Sequence, residues 1–92
     1  MTSYFIFLIL DREDGEGYVI KTYEAADYDT AKEKYDEVTA GRSSDAETIA
    51  SLLGPEFPHT RRIRVSLEKT EFDEDGDIPV SNEVLHTFEL TR

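Results

Sequence analysis

The chain of 92 residues contains no cysteine and no tryptophan, and only two histidines. Without cysteine there is no disulfide framework and no thiolate metal site, which fits a cytosolic address. Nucleophilic catalysis has little to draw on. Ser43, Ser44 and Ser51 belong to a helix start and a helix, outside any nucleophile-elbow pattern. Gly15 and Gly17 make a GxG with no third glycine and no helix start behind it, so a phosphate loop is not indicated. His86 shares an alternating strand face with Val84, Phe88 and Leu90, which suits a histidine at a core edge better than a general base. No cofactor is implied, and the expectation is a protein without catalysis.

Positive charge is also scarce: 10 bases stand against 21 acids, a net charge of −11. Phosphate contacts need Lys and Arg, so direct binding to DNA or RNA is not expected, nor is adhesion to an anionic membrane. Long apolar runs are missing too. Tyr4 to Leu10 is the longest and is followed at once by "DRED", so it reads as a buried strand rather than a signal or a membrane span. The one basic stretch is "RRIRVSL", residues 61–67, with three bases and no acid. On a strand Arg62 and Arg64 share a face about 7 Å apart, where a cross-strand carboxylate such as Glu83 or Glu89 would neutralise them.

What is present is hydrophobic periodicity. "YFIFLIL" is apolar on both strand faces, and "YVIKTYEA" follows it after a glycine-bearing turn, giving a first hairpin. "DYDTAKEKYDEVTAG" predicts a helix: Asp27 or Asp29 caps it, Ala31, Tyr35 and Val38 form its apolar stripe, and Gly41 ends it. "SSDAETIASLLGP" predicts a second, short helix, with Ser44 and Glu47 at capping-box spacing. Its buried side would comprise Ala46, Ile49, Ala50, Leu52 and Leu53. "TRRIRVSLEKTEF" and "NEVLHTFELTR" alternate as two further strands, with Leu85, Thr87 and Glu89 assigned to the face opposite His86. The expected fold is a single α+β domain over residues 1–92, in ββααββ order. A four-stranded antiparallel sheet would carry two helices packed on one face. Since the first strand is apolar on both faces and the helices cover one, residues 55–58, a second copy of the chain or another partner must cover the rest.

Two acidic stretches bound the hairpins. The first holds Asp11, Glu13, Asp14 and Glu16; the second, "EFDEDGDIPVSNE" from Glu71 to Glu83, holds Asp73, Glu74, Asp75 and Asp77. Counted from Glu71, the second resembles the calcium loop of the EF-hand family. Acids fall at ligand positions 1, 3 and 5, Gly76 falls at position 6, and Pro79 at position 9 offers a carbonyl. It departs from that family at position 1, where Glu replaces Asp. At position 12 Asn82 stands where a bidentate glutamate belongs, and strands replace the flanking helices. The resemblance implies at most weak divalent-cation binding at Asp73, Asp75 and Asp77. The plainer reading is a hairpin connector of good turn chemistry.

The acids also invite a third reading. Duplex DNA carries one phosphate charge per ~1.7 Å of axis, and a rigid acidic protein can imitate that field. The candidate partner-binding acids are Asp11, Glu13, Asp14 and Glu16, then Glu33, Asp36 and Glu37 of the first helix, then Asp73, Glu74, Asp75 and Asp77, with Tyr18, Tyr23 or Phe72 as docking aromatics. The expected function is that of a small acidic binding protein that docks on a partner's basic, nucleic-acid-binding surface. In size and charge it is similar to the anti-CRISPR and DNA-mimic inhibitors of phages and mobile elements. The alternative is a homodimeric accessory domain joined through the second face of the first strand, its acidity serving solubility.

Overall fold

A computed structural model describes residues 1–91; Arg92, assigned above to the end of the last strand, lies outside the described residues. The elements are β1 (Thr2–Arg12), β2 (Gly17–Ala25), α1 (Tyr28–Thr39), α2 (Asp45–Leu52), β3 (Thr60–Phe72) and β4 (Pro79–Thr91). They form one open antiparallel sheet in the order β2-β1-β3-β4, with the expected ββααββ connectivity.

The core lies between one sheet face and the helices. Antiparallel pairing sets Ile6 opposite Leu67, Leu8 opposite Val65 and Leu10 opposite Ile63. Ile6, Leu8, Ile63, Val65 and Leu67 are essentially sealed from solvent, and Ala31, Tyr35, Val38 and Ile49 close over them. Complete burial of one such side chain stabilises the fold by about 1.5–3 kcal/mol. This aliphatic ladder is what holds β1 and β3 at the centre of the sheet.

α1 begins and ends on local chemistry. The Asp27 carboxylate accepts the Thr30 N–H at 2.8 Å, so Asp27 rather than Asp29 is the cap. At the other end Gly41 takes φ +72°, while its N–H reaches the Val38 carbonyl and that of Arg42 reaches the Glu37 carbonyl, a Schellman closure. α2 departs from expectation. Ser44 is already helical and its side chain caps nothing; the Asp45 N–H is met instead by Ser43 Oγ at 3.2 Å. The reason lies in the Asp45 side chain, which is drawn inward to Lys21 and Tyr23 and fixes the chain's entry to the helix. Of the predicted buried side of α2, Ile49 is buried and Ala50 is exposed.

Two β-bulges reassign faces that simple alternation misplaces. In β4 the register shifts opposite Leu67–Glu68, so Glu68 faces Val84 and Leu67 faces His86. Val84 therefore lies on the helix-free face and is 53% exposed, whereas Leu85 packs against the core. In β2 a shift opposite Leu8–Ile9 brings Val19 against Ile9. The connector also differs from expectation. Residues 56–60 border Leu10, Tyr18 and Ile20 around a shallow, mostly apolar cleft of about 390 Å³. Leu10 packs with the helix-side core, so this connector does not cover the second face of β1.

Candidate functional site

The two acidic turns lie at opposite ends of the sheet. β1 runs from Thr2, paired with Glu71, to Arg12, paired with Thr60. The first turn therefore leaves one end and the second leaves the other, some ten residues or about 33 Å away. They cannot form one patch, and each has its own internal economy. In the first, Arg12 lies 3.4 Å from Asp14, Glu13 faces His59 at 3.7 Å, and Glu16 accepts the Tyr18 hydroxyl. The second is shorter than the sequence suggested, because Glu71 and Phe72 complete β3 while Pro79 to Glu83 belong to β4. Pro79 opens an edge strand, where a missing N–H costs little.

In that six-residue turn Asp73 is a structural residue. Its Oδ1 accepts the N–H groups of Asp77 at 3.0 Å and Ile78 at 3.4 Å, which hold its carboxyl below the ordinary aspartate range. Glu74, Asp75 and Asp77 point to solvent. Among the described residues no three His, Cys, Asp or Glu side chains gather as metal ligands would. The Asp73, Asp75 and Asp77 carboxylates are thus not arranged as a cation cage.

The first helix keeps its acids together. Helical periodicity puts Asp29, Glu33, Asp36 and Glu37 on the side of α1 opposite Ala31, Tyr35 and Val38. The two lysines of this helix are diverted. Lys32 bonds Asp36 at 2.6 Å, and Lys34 turns toward β2, 4.3 Å from the Tyr23 ring centre. Asp29, weighed on sequence grounds only as a cap, belongs to this outward row.

Asp11 leaves the set of exposed acids. It is 8% exposed and accepts Arg62 Nε at 2.6 Å, Arg64 Nε at 2.5 Å and Arg64 Nη2 at 3.0 Å. The Arg64 hydrogen bond, opposed by burial and reinforced by Arg62, keeps its carboxyl below the usual range. Glu89 also approaches Arg62, at 3.4 Å. Arg62 and Arg64 of the basic strip are therefore neutralised internally, chiefly by a residue that adjoins the first turn in sequence, while Arg61 is exposed. Gly17, opposite Asp11, leaves room for this cluster: a Cβ there would lie 2.9 Å from Asp11 Oδ1.

Sequence reasoning missed a second buried carboxylate. Asp45 is 2% exposed and accepts Lys21 Nζ at 2.8 Å and the Tyr23 hydroxyl at 2.7 Å. Burial raises this carboxyl, but the bonds from Lys21 and Tyr23 prevail and hold it low. Tyr23 is thereby committed to the interior and Phe72 is half-buried, leaving Tyr18 as the exposed one of the predicted docking aromatics. His86 stands between Tyr28 and Tyr35, with Nε2 3.0 Å from the Tyr28 hydroxyl.

The helix-free face of the sheet has a distinct make-up. Across the strands it reads Glu24, Phe5, Glu68, Val84; then Thr22, Phe7, Ser66, Thr87; then Val19, Ile9, Arg64, Glu89; then Gly17, Asp11, Arg62, Thr91. Phe5 and Phe7 stack with centroids 5.7 Å apart, and Phe72 meets Phe5 edge-on at 6.4 Å. Neither helix contributes to this side. Among the described residues no helix is long and apolar enough to cross a membrane. No protein-family model matches the chain, and neither a curated protein nor a solved structure matches it.

Proposed function

We propose that the protein is a non-catalytic binding protein that uses the outward face of α1 to occupy a basic, nucleic-acid-binding surface on another protein. The observation that carries this reading is the segregation of charge on that helix. Asp29, Glu33, Asp36 and Glu37 face outward, while Lys32 is tied to Asp36 and Lys34 is turned toward Tyr23. Elsewhere Arg62 and Arg64 of β3 are engaged by Asp11 and Glu89. Along α1, Asp29, Glu33 and Glu37 recur every four residues, about 6 Å of rise. Phosphates on one strand of a duplex recur every ~3.4 Å of axis, so this row keeps pace with about every second phosphate. Opposite charge would steer the encounter, and contact would then depend on the helix rather than on the two distant turns.

Capture from a host lysate on the immobilised protein tests this at about 50 and about 300 mM salt, where screening of exposed charges differs strongly. A nucleic-acid-binding protein should be retained at the lower salt and released at the higher. Glu33→Lys with Glu37→Lys should abolish the capture, and added duplex DNA should compete with it. Absence of any salt-sensitive capture, or capture indifferent to the double substitution, overturns the proposal.

A further inference from the structure

We infer that the helix-free face of the sheet is a self-association surface. Its occupant is a second copy of the chain, related by a two-fold axis that crosses the strands at the level of Phe7 and Ser66. The argument rests on the order of residues across that face. Phe7 lies midway between Phe5 and Ile9 on β1, and Ser66 lies midway between Arg64 and Glu68 on β3. A two-fold in the plane between stacked sheets reverses strand direction but keeps each strand over its own copy. Phe7 then meets Phe7, Phe5 meets Ile9, and Glu68 of each copy lies over Arg64 of the other. Along the two central strands the face is therefore self-complementary, apolar side chain over apolar side chain on β1 and acid over base on β3.

Arg64 has the capacity for this. A guanidinium carries five N–H donors, and the two bonds from Arg64 Nε and Nη2 to Asp11 use two of them. Glu68 already leans toward the axis, accepting the Ser66 hydroxyl at 2.8 Å. The charge on this face also favours a copy over a basic partner. Four acids (Asp11, Glu24, Glu68, Glu89) face two bases (Arg62, Arg64) around an apolar centre, in a chain whose net charge is −11. Most of the excess negative charge therefore sits elsewhere, and stacking these faces avoids bringing it together. Four strands about 4.8 Å apart, each contributing about ten residues at ~3.3 Å, give roughly 600 Å² per copy. That approaches the roughly 800 Å² per partner of a standard interface. The dimer would leave both α1 faces free, so it stands independently of the function proposed above.

Light scattering on the full-length chain at about 100 μM tests it, since a dimer with Kd near 1 μM is then almost fully formed. The expected mass is twice the 10.5 kDa of one chain. Phe7→Glu sets two carboxylates against each other on the axis and should weaken association at least tenfold. Glu68→Arg, at a partly exposed position, should do the same by opposing the other copy's Arg64. Circular dichroism establishes that each variant is folded, and if Phe7→Glu is not, Glu68→Arg decides. Glu33→Lys on the helix should leave the mass unchanged. A single-chain mass at about 100 μM, or a dimer that withstands the folded variants, overturns the inference.

Discussion

The two faces of the sheet are made by alternate residues of the same strands, yet they are stabilised differently. On the helix side Ile6, Leu8, Ile63, Val65 and Leu67 form a dry aliphatic layer. On the other side Phe5, Phe7 and Ile9 are only partly covered, and the strongest contacts are the charge-assisted hydrogen bonds around Asp11. The first face is specified by burial and tolerates little change. The second is specified by pairing of charge and ring stacking, and it keeps chemistry available to a partner. A small chain with two short helices can seal one face, so within the single chain its second face must hold together without helix cover.

The largest test of this contrast removes volume from the sealed side. Leu67→Ala leaves a cavity between the helices and β1 and should cost about 2–5 kcal/mol in urea denaturation. Asp11→Asn on the open side should cost less, about 1–2 kcal/mol, because Arg62 and Arg64 lose their common counter-charge but remain about a third exposed. This second effect carries a pH signature. Asp11 and Asp45 titrate below the unfolded aspartate value of about 3.9, so their contribution is complete above that pH and vanishes as pH falls through the folded values. The urea midpoint should hold steady from about pH 7 to pH 5 and fall below about pH 4. Asp11→Asn should flatten part of that fall, and an unchanged acid limb would remove Asp11 from the account. Gly17→Ala should cost about 1 kcal/mol, by crowding the Asp11 carboxylate. The outward substitutions Glu33→Lys and Glu37→Lys should move stability by no more than about 0.5 kcal/mol, so any loss of binding they cause is not a loss of fold.

Much of this was legible in the sequence where the signal is local. Alternation, an aspartate cap at Asp27 or Asp29 and the Gly41 terminus point to the ββααββ order, because each depends on residues a few positions apart. The failures share one cause. Asp11 looks like a turn acid at the head of "DRED", and only pairing with Arg62, 51 residues away, reveals it as a buried ion-pair centre. Val84 and Leu85 exchange faces because of a bulge against β3, which their own alternation cannot signal. The separation of the two acidic turns follows from β1 and β3 being antiparallel neighbours, a fact of long-range pairing. The carboxylate row on α1 was readable, since helical spacing alone assembles it. Asp29 reads equally well as the helix cap, and the Thr30 N–H bond to Asp27 is what frees it for that row.

The seam between β1 and β3 has a kinetic meaning. Its partners are separated by 48 residues at Arg12–Thr60 and by 69 at Thr2–Glu71, whereas each hairpin closes over a short turn. Closing so large a loop costs chain entropy before any core contact repays it. Each hairpin needs only local closure, so the step that costs most chain entropy is their meeting along Ile6–Leu67 and Leu8–Val65. The same residues that seal the interior set the rate at which the sheet becomes one object.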